Sequence, residues 1–430
     1  MTAWQSVGRW RPTRSSWLAE GCQWREPPMT HATAIFDLSL ALEAYGAGRL
    51  GEAKSICRTI CAQDPPPVDA MHLLGLIEMA QGRLAAAIET LTAVTKFQPD
   101  DATARNNLGI ALRKHGRLPE AIAAFENAVA CRPTYPDALY NLAVALTDTG
   151  NRGSAIEPLR RCLSHAPGHA GARFLLGDLL VDAGDHEEAT AHLERYLGEN
   201  PDDVDGARMR LAQMNRGPVP SRASAAQLDQ LYSSRARDWD RADGYLAHRH
   251  VGGALARLLP RHGNRILDMG CGTGLVGGLL RDRAAHLAGI DLSGAMLSVA
   301  RQKSLYDTLV RDDLASFLSA TSLRFDAVAA AAVLIHFGDL AAIFPSVADI
   351  LDPGGLVAFT VYPNDKLDPL GFGPCINPEL AKSGCFSHGS AYIEAIAERS
   401  GFKLLEQGAV VHEFSEGHIE MGLLTVLQCR

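Results

Sequence analysis

The residues best suited to chemistry lie in the second half of the chain, where an acid and three glycines follow a short apolar run. Arg265–Met269 precedes Gly270-Cys-Gly-Thr-Gly274, which gives the spacing D-x-G-x-G-x-G from Asp268. Glycines let the main chain approach a ligand closely, and free N–H groups at the start of a helix favour an anionic group. The order of strand, glycine loop and helix predicts a nucleoside- or nucleotide-binding loop.

A second acid follows the next predicted strand. His286–Ile290 ends at Asp291, which lies 21 residues after Gly270, a distance that suits contact with the two hydroxyls of a ribose. Gly272–Gly277 also satisfies the dinucleotide pattern G-x-G-x-x-G. That register begins two residues late, however, and Asp268 would be poorly placed beside a pyrophosphate. A nicotinamide oxidoreductase is therefore the least favoured interpretation.

Two histidines are candidates for a general base. His336 follows a predicted fourth strand, Phe325–Ala329, and His388 follows a predicted fifth strand, Val357–Tyr362. Ligands of such sheets bind beyond the carboxyl ends of the strands, and imidazole titrates near neutral pH. We expect one of the two to deprotonate an acceptor, with Tyr392 lining the same pocket. The alternative is that each histidine has only a structural role.

The alternation of strands and helices over residues 225–430 predicts a Rossmann-like α/β domain. Leu309–Asp313 is the predicted third strand, Ile350–Leu356 is the loop before the fifth, and Leu423–Leu427 is the predicted last, antiparallel strand. With its D-x-G-x-G-x-G loop, the domain resembles class I S-adenosylmethionine-dependent methyltransferases over about 200 residues.

The resemblance implies S-adenosylmethionine as the cofactor, and a role for each matching residue. Gly270, Gly272 and Gly274 would cradle the methionine part of the cofactor, and Asp268 would orient its ammonium group. Asp291 would bind the ribose hydroxyls, and the side chain of Leu292 would pack on the adenine. Asp312 or Asp313 would accept a hydrogen bond from the adenine amino group, and Tyr232 and Trp239 would belong to a lid over the cofactor.

One position departs from that family. After the fourth strand the family commonly carries an acid near the transferred methyl group, in an A-D-V-L-like run. Here the run is Ala331-Ala-Val-Leu334, so Ala332 stands at that position. The departure leaves the cofactor residues intact and puts substrate orientation or activity in question.

The first half of the chain is periodic. Columns of identical residues recur every 34 positions, among them Gly48, Gly82, Gly116, Gly150 and Gly184, and Pro65, Pro99, Pro133, Pro167 and Pro201. Glycine suits a helix end, and proline ends the second helix of each unit. Such units stack to bury their apolar faces. Residues 34–201 resemble the tetratricopeptide repeat family, with five repeats and a capping helix that ends at residue 214.

The resemblance implies a superhelix that binds a protein or peptide in its concave groove. The groove candidates are first-helix positions: Asn106, Asn107, Arg113, Lys114, Asn141 and Asp178. Asn107 and Asn141 occupy the same repeat position and could bond an extended backbone. The alternative is a polar groove that only faces solvent.

The remaining segments and the composition bound the protein's class. Residues 1–33 are expected to be a disordered or spurious extension, with Met29 as the true start, and residues 215–224 to be a linker. A formal net charge of −8 and the absence of a basic region argue against a nucleic-acid partner. No apolar run is long enough to span a bilayer. We expect a soluble, cytoplasmic protein without a metal site.

The combination of both halves resembles a predicted bacterial family described as "methyltransferase, contains TPR repeat". The implied function is methyl transfer from S-adenosylmethionine to a small-molecule or protein acceptor, with the repeats mediating a protein interaction. The alternative, motivated by Ala332, is a repeat scaffold whose second domain binds cofactor without catalysis.

Overall fold

The computed structural model describes residues 29–241, 244–364, 375–376, 384–415 and 418–430. Residues 1–28, which carry most of the expected extension, lie outside these ranges. The chain divides into two units, residues 1–189 and residues 190–430. The division falls inside the tenth helix, upstream of the linker expected at 215–224.

Paired helices form the first unit. They are α1 (Met29–Gly46), α2 (Leu50–Cys61), α3 (Val68–Ala80), α4 (Leu84–Phe97), α5 (Ala102–Lys114), α6 (Leu118–Cys131), α7 (Pro136–Asp148), α8 (Ile156–His165), α9 (Ala170–Ala183) and the start of α10 (His186–Glu199). The repeating glycines lie between the two helices of each pair and have φ between +74° and +84°. This left-handed conformation strains any residue with a side chain, which explains the glycine column and confirms the all-helical repeat prediction.

A second glycine column lets paired helices approach closely. A Cβ atom added at Gly109 would lie 2.6 Å from the ring of Phe125, and one at Gly75 would lie 2.7 Å from Leu91. Each of these partners is fully buried. The small residue and the bulky residue therefore fill one volume between the two helices of a repeat.

The polar residues expected in the groove have partners inside the array. Asn106 and Asn107 are fully buried and Asn141 is nearly so. The Asn141 amide donates to Asn106 Oδ1 at 2.9 Å, and Asn107 Nδ2 lies 2.9 Å from His72 Nε2. This corrects the expectation for these asparagines: they join neighbouring helices and do not present an open polar surface.

The charged groove candidates are also mostly paired. Arg113 binds Asp148 at 2.6 Å, and Arg152 binds Asp178 at 2.8 Å. Lys114, at the end of α5, is exposed. A binding surface on the array is therefore more restricted than the sequence suggested.

The second unit is an α/β domain. Its helices are α11 (Ala207–Gln213), α12 (Ala225–Arg235), α13 (Ala247–Leu258), α14 (Leu275–Leu280), α15 (Gly294–Gln302), α16 (Leu314–Ala320), α17 (Phe344–Asp349) and α18 (Ser390–Arg399). Its strands are β1 (Asn264–Met269), β2 (Ala284–Asp291), β3 (Thr308–Arg311), β4 (Phe325–Ala330), β5 (Leu351–Pro363), β6 (Cys375–Ile376), β7 (Phe386–His388), β8 (Phe402–Ser415) and β9 (His418–Cys429).

The central sheet has the order β3-β2-β1-β4-β5, with all neighbours parallel. Strand β9 adds antiparallel to β5, as expected for the last strand, and β8 pairs with β9. Apolar clusters cover both faces of the sheet. The chain order reverses between β1 and β4, so the carboxyl ends of these strands open the crevice where ligands bind in such folds. Among the described helices, none has the length and apolar character needed to cross a membrane.

Candidate functional site

The glycine loop after β1 has the conformation that only glycine adopts without strain. Gly270, Gly272 and Gly274 have φ of +65°, +52° and +92°. A Cβ atom at Gly270 would lie 2.6 Å from Val333, whereas one at Gly272 would meet no atom within 4 Å. Gly270 is therefore required by packing, while Gly272 leaves an open space beside the main chain.

Tyr306 holds the loop from behind. Its hydroxyl donates to Asp268 Oδ2 at 2.6 Å, and its ring fills the space that a side chain at Gly274 or Gly277 would occupy. Asp268 is almost fully buried, and its Oδ1 atom has no hydrogen-bond partner among the described residues. Burial, and then the nearby charge of Asp291, raises the pKa of Asp268 to about 7.

Asp291 joins the end of β2 to the glycine loop. Its Oδ2 accepts the Gly272 N–H at 2.8 Å and its Oδ1 accepts the Ser293 N–H at 2.7 Å. Burial raises the pKa of this carboxyl, and the two N–H groups oppose that shift. Because a carboxylate can accept about four hydrogen bonds, Asp291 keeps acceptor capacity toward the crevice.

The segment before β1 forms an aromatic wall over the loop. The ring of Trp239 lies 5.7 Å from that of Tyr232 and 5.2 Å from that of Tyr245. Asp240 fastens this wall, because it accepts from Thr273 of the loop at 2.5 Å and binds Lys303 at 2.6 Å. Tyr232 and Trp239 both line the pocket, and their role as a lid over a cofactor stays a prediction.

His336 has a defined tautomer. Its Nδ1 lies 3.0 Å from the carbonyl of Gly384, which only accepts, so Nδ1 carries the hydrogen. Its Nε2 therefore accepts from the Tyr232 hydroxyl at 2.7 Å. Desolvation lowers the pKa of His336 to about 4. The ring is thus neutral at physiological pH, with a basic nitrogen directed at the lid tyrosine.

Ala332 has an unusual backbone. Its φ is +55°, in the left-handed region that side chains disfavour, and its N–H donates to Thr360 Oγ1 at 3.1 Å. Asparagine and aspartate tolerate this region better than most residues. The alanine therefore occupies a conformation that would suit the acid expected at this position.

These elements line one pocket, whose empty volume of about 550 Å³ includes space that is open to solvent. Its lining consists of Tyr232, Trp239, Tyr245, His248, Gly270, Cys271, Gly272, Thr273, Leu275, Val276, Asp291, Met296, Ala331, Ala332, Val333 and His336. Of these described residues, one is an acid and none is Lys or Arg. The pocket therefore favours a neutral or cationic ligand over an anionic one.

The residues present fit S-adenosylmethionine, whose sulfonium and ammonium groups are cationic. Asp268 and Gly274 lie behind the residues that line the pocket. The buried Oδ1 of Asp268 has no hydrogen-bond partner among the described residues, and an ammonium group that reached it would satisfy it. The open space at Gly272 gives a ligand access to the main chain. Asp291 has acceptor capacity for ribose hydroxyls, and the apolar side chain of Met296 lies in the same pocket.

Other expected cofactor residues lie outside the pocket lining. Asp313 caps α16 through the N–H groups of residues 315 and 316 and binds Arg222 at 2.6 Å. Asp312 accepts from the Asp313 N–H. The Leu292 carbonyl accepts from Arg311 at 3.1 Å. The structure thus gives Asp313 a capping role, and the adenine roles expected of Asp312, Asp313 and Leu292 stay predictions.

The other two expected catalytic residues are also absent from the lining. His388 Nε2 donates to the Phe337 carbonyl at 2.9 Å, and the Tyr392 hydroxyl donates to Asp339 Oδ1 at the same distance. The two rings stack with centroids 5.9 Å apart. Desolvation lowers the pKa of His388 to about 4. Both residues brace the segment that follows His336, so their contacts are structural.

Sequence reasoning missed residues that lie near the start of α13. His248 lines the pocket, stacks on Tyr245 with ring centroids 5.3 Å apart, and has a pKa lowered to about 4 by desolvation. The Tyr245 hydroxyl donates to the Ala331 carbonyl at 3.2 Å. No spacing links these residues to the glycine loop. Tyr306 was also missed, although Gly274 and Gly277, three positions apart, leave room for its ring.

Models of two known families match separate parts of the chain. The sequence model of a methyltransferase domain matches residues 244–407. Tetratricopeptide repeat models match residues 38–102, 72–136, 107–169 and 148–213.

Several curated relatives are methyltransferases. A ubiquinone biosynthesis O-methyltransferase of Xylella fastidiosa is 35% identical over 105 residues, which are 24% of this chain and 43% of the relative. A malonyl-[acyl-carrier protein] O-methyltransferase of Enterobacter lignolyticus is 31% identical over 153 residues, which are 36% of this chain and 59% of the relative. The chain thus spans about half the length of these relatives.

Among solved structures, magnesium protoporphyrin IX methyltransferase from Synechocystis PCC 6803, with bound S-adenosylmethionine, is 19% identical. The match has a TM-score of 0.36 and covers 48% of this chain and 96% of that one.

Proposed function

We propose that this chain, in which tetratricopeptide repeats precede a methyltransferase domain, transfers the methyl group of S-adenosylmethionine to an oxygen atom of a small-molecule or protein acceptor. The observation that carries the proposal is the shared pocket of the glycine loop, Asp291 and a neutral histidine. The names of the relatives support oxygen as the methylated atom. The repeats would bind a protein or peptide partner, and we expect the reaction to occur in the cytoplasm.

When bound, S-adenosylmethionine supplies an electrophilic methyl group on a sulfonium, and its sulfur leaves with the bonding electron pair. Gly270 and Gly272 would hold the methionine part, Asp268 Oδ1 would accept from the ammonium group, and Asp291 would accept from the ribose hydroxyls. The lid aromatics would exclude water and align the acceptor, which is the main contribution a protein makes to an in-line displacement.

His336 would act as the base. Its Nε2 bears a lone pair and lies at the pocket wall, bonded to the Tyr232 hydroxyl at 2.7 Å. The proton of an acceptor hydroxyl would pass to Nε2, directly or through Tyr232, as the oxygen attacks the methyl carbon. The Gly384 carbonyl then stabilises the ring in the orientation that keeps Nε2 facing the acceptor.

Calorimetric titration of S-adenosylmethionine and S-adenosylhomocysteine into the full chain tests the cofactor. We expect Asp291→Ala to weaken binding by at least about 100-fold, because the variant loses the ribose contacts and two loop bonds worth about 1.5–3 kcal/mol each. The exposed Asp282, in the turn after α14, provides a matched control. Equal binding by wild type, Asp291→Ala and Asp282→Ala, or no binding at all by a folded wild type, would contradict the proposal.

A second candidate is a scaffold whose domain binds the cofactor without transferring its methyl group. The observation that favours it is Ala332, at the position where an acid is expected and with φ of +55°. Ala332→Asp distinguishes the two, with labelled methyl incorporation into cell extract as the readout. A large gain in incorporation supports loss of an ancestral activity. An unchanged or lower rate supports an active enzyme with a different acceptor pocket.

A further inference from the structure

The end of the repeat array is built into the same unit as the pocket. The turn between α10 and α11, residues 202–206, is here called the array-end turn. The Tyr196 hydroxyl of α10 donates to Asp205 Oδ2 at 2.8 Å, and the same carboxylate accepts from Gln230 of α12. Ser224, the N-cap of α12, donates to the carbonyl of Asp202 at 2.6 Å. Helix α12 is therefore fastened to the array-end turn at both its first and second turns.

Gln227 of α12 fills the space between two glycines. A Cβ atom at Gly206 would lie 2.3 Å from Gln227 Nε2, and one at Gly384 would lie 3.3 Å from Gln227 Oε1. Both glycines have positive φ, +86° and +68°. Gln227 is buried, with 5% of its surface exposed. One side chain thus separates the array-end turn from the residue whose carbonyl orients His336.

The residues before α12 also hold the main chain at His336. The Ala223 N–H donates to the His336 carbonyl at 2.9 Å, and the Gly338 N–H donates to the Ser221 carbonyl at 2.7 Å. Arg222 and Phe337 form an antiparallel bridge between these segments. Residues expected to be a linker are therefore paired with the segment that carries the candidate base, and Tyr232, its hydrogen-bond partner, lies on the same α12.

We propose that the array-end turn positions the Tyr232–His336 pair, with Gln227 as the positioning residue that transmits its location to Gly384. The inference rests on the proposed function, in which His336 is the base. It follows that the end of the repeat array has a role in catalysis besides partner binding. A displacement of the array-end turn would move the lid hydroxyl and the carbonyl that together fix the His336 tautomer.

Two glycine variants of the full chain test the proposal. Gly206→Ala and Gly184→Ala place a methyl group at nearly the same φ, +86° and +83°, so both suffer similar backbone strain. Only Gly206→Ala meets Gln227, because no atom lies within 4 Å of the methyl position at Gly184. The readout is the imidazole ¹⁵N and ¹³C resonances of His336, assigned by their loss in His336→Asn.

We expect Gly206→Ala to shift or broaden the His336 resonances, and Gly184→Ala to leave them unchanged. Gln227→Ala, which leaves both glycines in place, is expected to disturb the same resonances and covers the case in which Gly206→Ala does not fold. The double variant should then resemble Gln227→Ala alone, because contacting residues are not additive. Identical spectra for the two glycine variants, or an undisturbed His336 in Gln227→Ala, would overturn the proposal.

S-adenosylhomocysteine titration separates this inference from the proposed function. We expect Gly206→Ala to bind it within about twofold of wild type, because the array-end turn does not line the pocket. A wild type that binds S-adenosylhomocysteine, with His336 insensitive to Gly206→Ala, rejects the positioning role alone. A folded wild type that does not bind it rejects the proposed function.

Discussion

The repeat array and the pocket of the second unit differ in how far apart in sequence their contacting residues lie. In the array, Asn106 and Asn141 are 35 positions apart, as are His72 and Asn107. In the pocket, the hydrogen bond between Tyr232 and His336 joins residues 104 positions apart. The array repeats the same kind of contact between neighbouring repeats, whereas each contact in the pocket occurs once and joins distant parts of the sequence.

The glycines also have different roles in the two regions. In the array, glycines either permit a turn, as at Gly116, or admit a neighbouring ring, as at Gly109. Gly272 shares the positive φ and the open surroundings of Gly116, and it differs from Gly116 because it lines the pocket. A glycine that no internal contact requires, and that faces a cavity, indicates space reserved for a ligand.

The largest expected effect is on methyl transfer, and it tests whether the pocket contains the catalytic base. His336→Asn removes the basic Nε2 and should lower methyl incorporation into cell extract by about 100-fold or more, the usual contribution of a general base. His388→Asn is the matched control, because His388 has the same lowered pKa of about 4 but lies outside the pocket lining. With S-adenosylmethionine at saturating concentration, wild-type turnover should stay level from pH 8 to 5 and fall only as His336 protonates near pH 4. Equal losses in both variants would contradict the assignment of the base.

The sequence predicts the array better than the pocket, because contacts in the array join residues that are closer together in the chain. The 34-residue period predicted the helices, their glycine ends and their small-residue contacts, because every one of these signals is local. The pocket was predicted where its signal was also local, at Gly270, Gly272 and Asp291. The rest of its wall comes from distant segments whose approach only the folded sheet determines, as with Tyr245 and His248.

The acids expected to bind adenine, Asp312 and Asp313, show a second reason why the sequence alone does not determine the site. Asp313 stands at the end of a strand, where a cofactor contact and a helix cap have the same sequence appearance. Its carboxylate accepts from the N–H groups of residues 315 and 316, so the structure shows the capping role. The available signal was Asp313 itself, an acid directly before a helix-forming apolar segment. Acids at strand ends should therefore be tested as caps before they are assigned to a ligand.

An intermediate effect is expected from breaking the local packing of the array. Gly109→Ala places a methyl group 2.6 Å from the ring of Phe125, and overpacking of this kind costs about 1–3 kcal/mol of unfolding free energy. Gly51→Ala, in α2 with open space around it, should instead stabilise the array by up to about 1 kcal/mol. Urea unfolding of both variants measures the difference. If Gly109→Ala is as stable as Gly51→Ala, the close approach of α5 and α6 is not needed for stability.

The smallest change per measured step concerns the pH dependence of the pocket's own stability. The pKa of Asp268 is about 7 in the folded chain, chiefly through burial, against an ordinary value of 3.8. Between these two values the folded state holds a proton that the unfolded state has lost. Stability from this group is therefore fully present below pH 3.8 and declines as pH rises to about 7, by at most about 1.4 kcal/mol per pH unit.

Asp268→Asn should remove this decline while keeping an acceptor for Tyr306. Urea unfolding at pH 5, 6 and 7 should show the wild type losing stability relative to the variant at each step, opposite to the usual behaviour of an ion-paired acid. An ammonium ligand favours the ionised carboxylate, so cofactor binding should release a proton in this range and tighten as pH rises. Parallel stability curves would mean that Asp268 is ionised throughout, and that its buried charge is satisfied before any ligand binds.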